Sequence, residues 1–227
     1  MNPFIIASFP KLAIQKLVKL QRHETLLGLV NALALRFDQA FSVLLNRIIY
    51  GPPSLYVAGN LKIRGRNHII RNGPILINGN AWIEAVYLYR GQEFSPRIEL
   101  GGNLFASGSL HISCIGAISI GDNVLIGTNV YIGDHAHGHY GPDDQTPQSH
   151  PSSPPFERQL YSKGCIVIGS NVWIGNNVVI LSPACIENGC IIGANSVVSG
   201  TFPASTIIAG SPARAVKSFD PEIQKWT

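Results

Sequence analysis

The sequence predicts an all-β protein in which short strands stack in parallel as a coil, preceded by amphipathic helices and interrupted by one long loop. Three observations carry this. Charged residues make up only 13% of the 227 positions while Gly (23) and Pro (15) are plentiful, which favours a turn-rich β body over a charged helical bundle. Aliphatic residues recur every six positions over most of the chain, a period that fits neither a helix nor a plain strand. The period breaks at one polar, proline-rich stretch and then resumes in phase.

Residues 1–50 form the N-terminal helical segment. Leu12, Leu17, Leu20, Leu26, Leu27, Val30 and Leu33 recur at helical spacing. Lys11, Lys16, Lys19, Arg22 and Glu24 interrupt the apolar run well short of the roughly 20 residues a bilayer span needs, so a cytoplasmic location is expected. The basic residues suit peripheral contact with an anionic membrane surface, and packing of the helices on the β body explains the same pattern.

Residues 51–219 form the β domain and 220–227 a short tail. Ile63, Ile69, Ile75 and Ala81 open the six-residue series; Leu100, Ala106, Ile112, Ile118, Val124 and Val130 continue it in a shifted phase, accompanied by Ile120, Ile126 and Ile132, with Ala136 next in line. Ile168, Ile174, Ile180, Ile186, Ile192 and Val198 then resume it, with Val172, Val178, Ala184 and Cys190 alongside. Such spacing suits three short sides per circuit, about 18 residues in all, each side sending aliphatic side chains into a narrow prism while stacking satisfies the backbone. Gly and Asn at the corners, as in Gly121-Asp122-Asn123 and Gly169-Ser170-Asn171, suit positive φ at tight turns.

The phase slip between Ala81 and Leu100 predicts an irregular segment around residues 84–97, and the excursion at 134–165, with five prolines, is expected to be neither helix nor regular strand. The four cysteines show no CxxC pair and read as small core residues. A net charge of +4 suits anionic ligands, but Lys and Arg form no block dense enough for nucleic acid.

Chemistry concentrates where the excursion opens, in Gly133-Asp134-His135-Ala136-His137-Gly138-His139-Tyr140. Imidazole titrates in the range a general base needs. Asp134 either orients an imidazole or ends the coil. Trp173 occupies a variable hexad position and cannot enter the prism, so it covers something outside.

The hexads over residues 98–217 resemble the hexapeptide-repeat acyltransferases, and the Asp-His-x-His-Gly run resembles their polysaccharide and sugar O-acetyltransferase branch. The resemblance implies a left-handed parallel β-helix, a homotrimer with cofactor grooves between subunits, acetyl-CoA as co-substrate with no metal, and a sugar or glycan hydroxyl as acceptor in cell-surface polysaccharide biosynthesis. By gapless matching His137 falls on the catalytic histidine, with Asp134 and His135 beside it. Asn176, Ala194, Ser199, Gly200, Arg214 and Lys217 fall on cofactor positions, and Arg214 and Lys217 can pair with phosphate. Trp173 falls on the acceptor end of the site, and Ser107, His111 and Tyr140 are candidates to help read the acceptor. The match departs at Ser107, where some relatives carry Asn, at Ile115, where an acidic residue is usual, and at Gly200, where several carry Lys. Serine- or antibiotic-type acetylation is the alternative within the class. Outside it stand a zinc lyase of the β-helical carbonic anhydrase kind, since His135, His137 and His139 alternate along the chain, and a scaffold protein without chemistry.

Overall fold

The computed structural model describes residues 51–141 and 147–227, together with residues 30, 34, 37, 38, 40–45, 48 and 49. The described residues before 50, Val30 among them, are helical, whereas Leu12, Leu17, Leu20, Leu26, Leu27 and Leu33 lie outside the described residues. Among the described residues no helix is long and apolar enough to cross a membrane.

From residue 55 the chain visits three rows of strands in turn. The first row stacks Leu55–Val57, Ile75–Ile77, Leu104–Ala106, Leu125–Ile126, Trp173–Ile174, Ile191–Ile192 and Thr206–Gly210. The second stacks Leu61–Arg64, Ala81–Ala85, Leu110–Cys114 and Val130–Gly133, and the third Ile69–Arg71, Arg97–Leu100, Ala117–Ile120 and Ile166–Ile168. Strands Val179–Ile186 and Val197–Phe202 each bend from the second row into the third and pair with one another in parallel on both sides of the bend. All pairing within the rows is parallel until Ala213–Asp220 returns antiparallel along Thr206–Gly210.

The six-residue series is the core. Each member from Leu100 to Val130 and from Ile168 to Val198 is buried, and Ile63 and Ile69 pack partly buried against the same cluster. Burial of such a side chain stabilises by roughly 1.5–3 kcal/mol, and those on interior strands have a counterpart one strand above and one below. Ala136 breaks the series: it is exposed, because the chain has already left the coil. Of the cysteines, Cys114 and Cys190 are buried, whereas Cys165 is exposed and Cys185 half-buried on outward positions.

Two kinds of residue make the corners between the first row and its neighbours. Asn103, Asn123 and Asn171 take φ of 55°, 57° and 59°, and Asn129, Asn177 and Asn195 take 57°, 56° and 60°. Their carboxamides bond from coil to coil, Asn103 Nδ2 to Asn123 Oδ1 at 3.0 Å and Asn177 Nδ2 to Asn195 Oδ1 at 3.1 Å, which offsets the left-handed backbone cost. The glycines serve differently from expectation. Gly121, Gly169 and Gly175 do not have positive φ; a Cβ on Gly175 would lie 2.6 Å from the Ala194 nitrogen in the next coil, so stacking distance requires the missing side chain there.

The 18-residue circuit holds between Asn177 and Asn195, but the step from Asn103 to Asn123 takes 20 residues. The added residues form the Cys114-Ile115-Gly116 turn between the second and third rows. Larger insertions leave at the same corner: Glu84 and Ser113 are 29 residues apart, and Asn123 and Asn171 are 48 apart. The first insertion, expected to be irregular, is a hairpin of Leu88–Tyr89 on Gln92–Glu93. The second is the excursion.

Candidate active site

The excursion is not structureless at its root. His135–His137 pairs antiparallel with Leu160–Ser162, setting His137 opposite Leu160, so two strands carry the histidine away from the corner. Asp134 begins this departure and is fully buried. Its carboxylate accepts the Ile115 amide at 2.9 Å and the Gly116 amide at 2.7 Å, the Cys114 thiol at 3.3 Å, and contacts His135 Nδ1 at 3.0 Å. Burial works to raise its pKa, but the His135 contact and the two amides outweigh this and hold the carboxyl below its ordinary value. Asp134 therefore ends one coil by capping the turn of the coil before it, and the imidazole it touches is that of His135.

The three imidazoles between Asp134 and Tyr140 have three different partners. His135 is half-buried against Asp134, and His139 is buried with its ring 4.2 Å from that of Tyr161. His137 is exposed, and its Nδ1 lies 3.3 Å from the hydroxyl oxygen of Tyr89 on the hairpin. Tyr89 in turn donates to the Phe156 carbonyl at 2.6 Å. Tyr140 donates to the carbonyl of His137 itself at 2.6 Å and accepts from Arg158 Nη1 at 2.7 Å, so its hydroxyl serves the loop and its ring remains exposed. Arg158 also donates to the carbonyls of Ser153 and Pro151, which closes the distal part of the excursion.

The hairpin locks onto the returning strand. Gln92 Oε1 accepts from the Leu160 amide at 2.8 Å and Gln92 Nε2 donates to the Leu160 carbonyl at 3.3 Å. Beneath them Val86, Ile115 and Leu160 form a second small core with Tyr89 and Phe94. Sequence reasoning missed Tyr89, Gln92 and Arg158. The phase slip marks that something is inserted before residue 97, but no spacing says that it lands against a segment 68 residues away.

The remaining candidates are distributed around the coil. Trp173 is 52% exposed on the outside of the first row, in register with Leu125, Ile191 and, through Ile207, with Lys217. Ser107, Asn176 and Ala194 lie at the corner leading from the first row to the second, and Arg214 sits opposite Ala209 at the end of the same row. Ser199 and Gly200 lie instead at the bend from the second row to the third, the corner from which His137 departs. His111 projects from the second row between Trp82 and Tyr131, with ring centroids at 4.4 and 5.1 Å, in a groove of about 430 Å³. Its Nε2 lies 3.6 Å from Glu84, and this imidazole, with the Ser113 hydroxyl, holds the Glu84 carboxyl below its ordinary value despite burial.

Residues 165–200 match the family model described as bacterial transferase hexapeptide (six repeats). The chain is 42% identical over 124 residues to the putative lipopolysaccharide biosynthesis O-acetyl transferase WbbJ of Escherichia coli K12, an alignment covering 55% of this chain and 62% of that protein. It is 30% identical over 164 residues to the galactoside O-acetyltransferase of the same organism, covering 70% of this chain and 71% of that one. The solved hexapeptide-repeat acetyltransferase VCA0836 of Vibrio cholerae superposes with a TM-score of 0.50 at 24% identity, over 91% of this chain and 88% of the other, a likeness of fold. The chain belongs to the hexapeptide-repeat acyltransferase family.

Proposed function

We propose that this protein transfers an acetyl group from acetyl-CoA to a hydroxyl of a sugar, in the biosynthesis of a cell-surface polysaccharide. The observation that carries the proposal is the presentation of His137: of the three imidazoles between Asp134 and Tyr140 it is the one exposed to solvent, on paired strands buttressed by a second insertion. A general base needs that combination of access and fixed position. The names of the two Escherichia coli relatives support an O-linked product, and that of the first supports a lipopolysaccharide setting. A cytoplasmic location accords with the supply of acetyl-CoA.

In this reading His137 takes the proton of the acceptor hydroxyl as its oxygen attacks the thioester carbonyl. Backbone N–H groups stabilise the oxyanion, and collapse breaks the C–S bond, with the imidazolium returning its proton to the thiolate. No acyl-enzyme and no metal take part. Asn176, Ala194, Ser199, Gly200, Arg214 and Lys217 hold the cofactor, with Arg214 and Lys217 on its phosphates, while Trp173, Ser107, His111 and the Tyr140 ring read the acceptor. Asp134 and His135 serve the frame that carries His137.

These positions sit at two different corners of the coil. That separation supports a homotrimer of left-handed β-helices in which the His137 corner of one copy faces the Trp173 row of its neighbour, with the cofactor between them. The test is release of free thiol from acetyl-CoA in the presence of a panel of sugars and cell-surface glycans, with product mass confirming one added acetyl group. Wild-type turnover on a sugar that His137→Ala lacks supports the reading; acetylation of serine or an aminoglycoside in place of every sugar overturns it.

A further inference from the structure

We infer that Tyr89 is a positioning residue that decides which ring nitrogen of His137 carries the proton, an inference resting on the reading of His137 as the base. A phenol has one hydrogen to donate. Tyr89 lies 2.6 Å from the Phe156 carbonyl oxygen, within the range of a strong O–H···O bond, and 3.3 Å from His137 Nδ1. The shorter contact takes the phenol proton, since a carbonyl has nothing to offer in return. The longer contact is then favourable only if Nδ1 bears the hydrogen and donates to the phenol oxygen. In a neutral imidazole the other nitrogen, Nε2, is left as the lone pair.

That is the arrangement a base requires. As the acceptor oxygen bonds to the acetyl carbon its proton passes to Nε2, and the C–S bond breaks. The sulfur then collects the same proton from Nε2, while Nδ1 keeps its hydrogen on Tyr89 throughout. The role commonly filled by a carboxylate falls here to a neutral phenol, because the nearby carboxylate of Asp134 is engaged by the turn amides and by His135. Tyr89 is held for the task independently of His137: the reciprocal Gln92–Leu160 pair and the small core of Val86, Ile115 and Leu160 fix the hairpin on the returning strand.

The test reads the tautomer directly, by long-range proton–nitrogen correlation spectra of the full-length enzyme carrying ¹⁵N-histidine, at a pH where the imidazole is neutral. The His137 signals are assigned by their loss in His137→Gln. The expected result is an Nδ1-protonated ring in the wild type, a gain of the Nε2-protonated form in Tyr89→Phe, and in that variant a fall in turnover of about tenfold with KM for acetyl-CoA held, the scale of one lost hydrogen bond. Gln92→Leu removes one of the two holds on the hairpin and keeps the Val86, Ile115 and Leu160 core that seats Tyr89, so it should keep the Nδ1-protonated ring. An Nε2-protonated ring in the wild type overturns the inference, as does an unchanged ring in Tyr89→Phe or an equal shift in Gln92→Leu. The spectra need no substrate, so full turnover in His137→Ala would sink the acetyl-transfer role of His137 separately and leave the tautomer result to stand on its own.

Discussion

Asp134→Asn keeps the shape of the buried side chain and removes its charge. In the wild type Oδ1 accepts from the Ile115 amide at 2.9 Å and contacts His135 at 3.0 Å, and Oδ2 accepts from the Gly116 amide at 2.7 Å. An asparagine has one oxygen for these two amides, so whichever way it turns its NH₂ group faces a backbone donor. One unpaired buried N–H costs about 1–3 kcal/mol, and the loss of charge from the surviving bond adds about 1 kcal/mol, giving roughly 3 kcal/mol in total. For a chain of this size that is a fall of roughly 6–12 °C in Tm. Melting curves at one protein concentration and one scan rate measure it, paired with thiol-release assays well below either Tm.

Turnover of the folded variant should stay within about threefold of wild type, because the carboxylate contacts the turn and His135 rather than His137. The pH dependence has a definite sign. The folded-state pKa is depressed, so the stabilisation is present above the ordinary aspartate range and disappears as pH falls through the folded value. The gap in Tm between wild type and variant should be constant above about pH 5 and close below about pH 4. An unchanged Tm together with a hundredfold loss of turnover would refute this reasoning and make Asp134 part of the proton path.

His137→Ala should lower turnover by about 10² to 10⁴-fold with little change in acetyl-CoA affinity, measured by thiol release and by calorimetry, while His139→Ala, whose ring is buried against Tyr161, should chiefly lower Tm. Arg214→Ala and Lys217→Ala should each raise the acetyl-CoA Kd and flatten its salt dependence, and equal weakening toward a phosphate-free pantetheine thioester would disprove phosphate pairing. Asn123→Ala should cost about 1–2 kcal/mol in denaturant unfolding because φ is 57° there, whereas Asn123→Gly should recover most of this.

The body of the fold was legible because its physics is one-dimensional. A side chain such as Ile174 or Ile180 packs on its counterparts one coil above and below, so the core writes itself into the chain at fixed intervals. The corner asparagines were legible for the same reason, since left-handed φ restricts residue type locally. What could not be read was the role of the glycines. Gly175 is excluded from having a Cβ by Ala194 in the next coil, a contact across space that looks like turn chemistry along the chain. The true circuit length was hidden too, because the extra Cys114-Ile115-Gly116 turn adds residues at one corner and leaves the aliphatic spacing on the faces intact.

The candidate site was half legible, and the shape of the coil explains which half. His137 stands out in sequence because histidines cluster where a period fails. Its supports do not, because side chains leaving different outer faces of a three-sided prism diverge, and the groove that the regular second row forms around His111 lies away from the His137 corner. At that corner a concavity comes from chain that departs from the repeat. Here two departures leave from one corner, the hairpin after Ala85 and the excursion after Gly133, and close on each other through Tyr89–Phe156 and Gln92–Leu160. Each alone would be a projecting loop; together they give His137 a wall and a fixed partner. The second way to make a concavity is to bring up another prism. The proposed cofactor positions are divided between this corner and the one before it, as a groove between two copies would require.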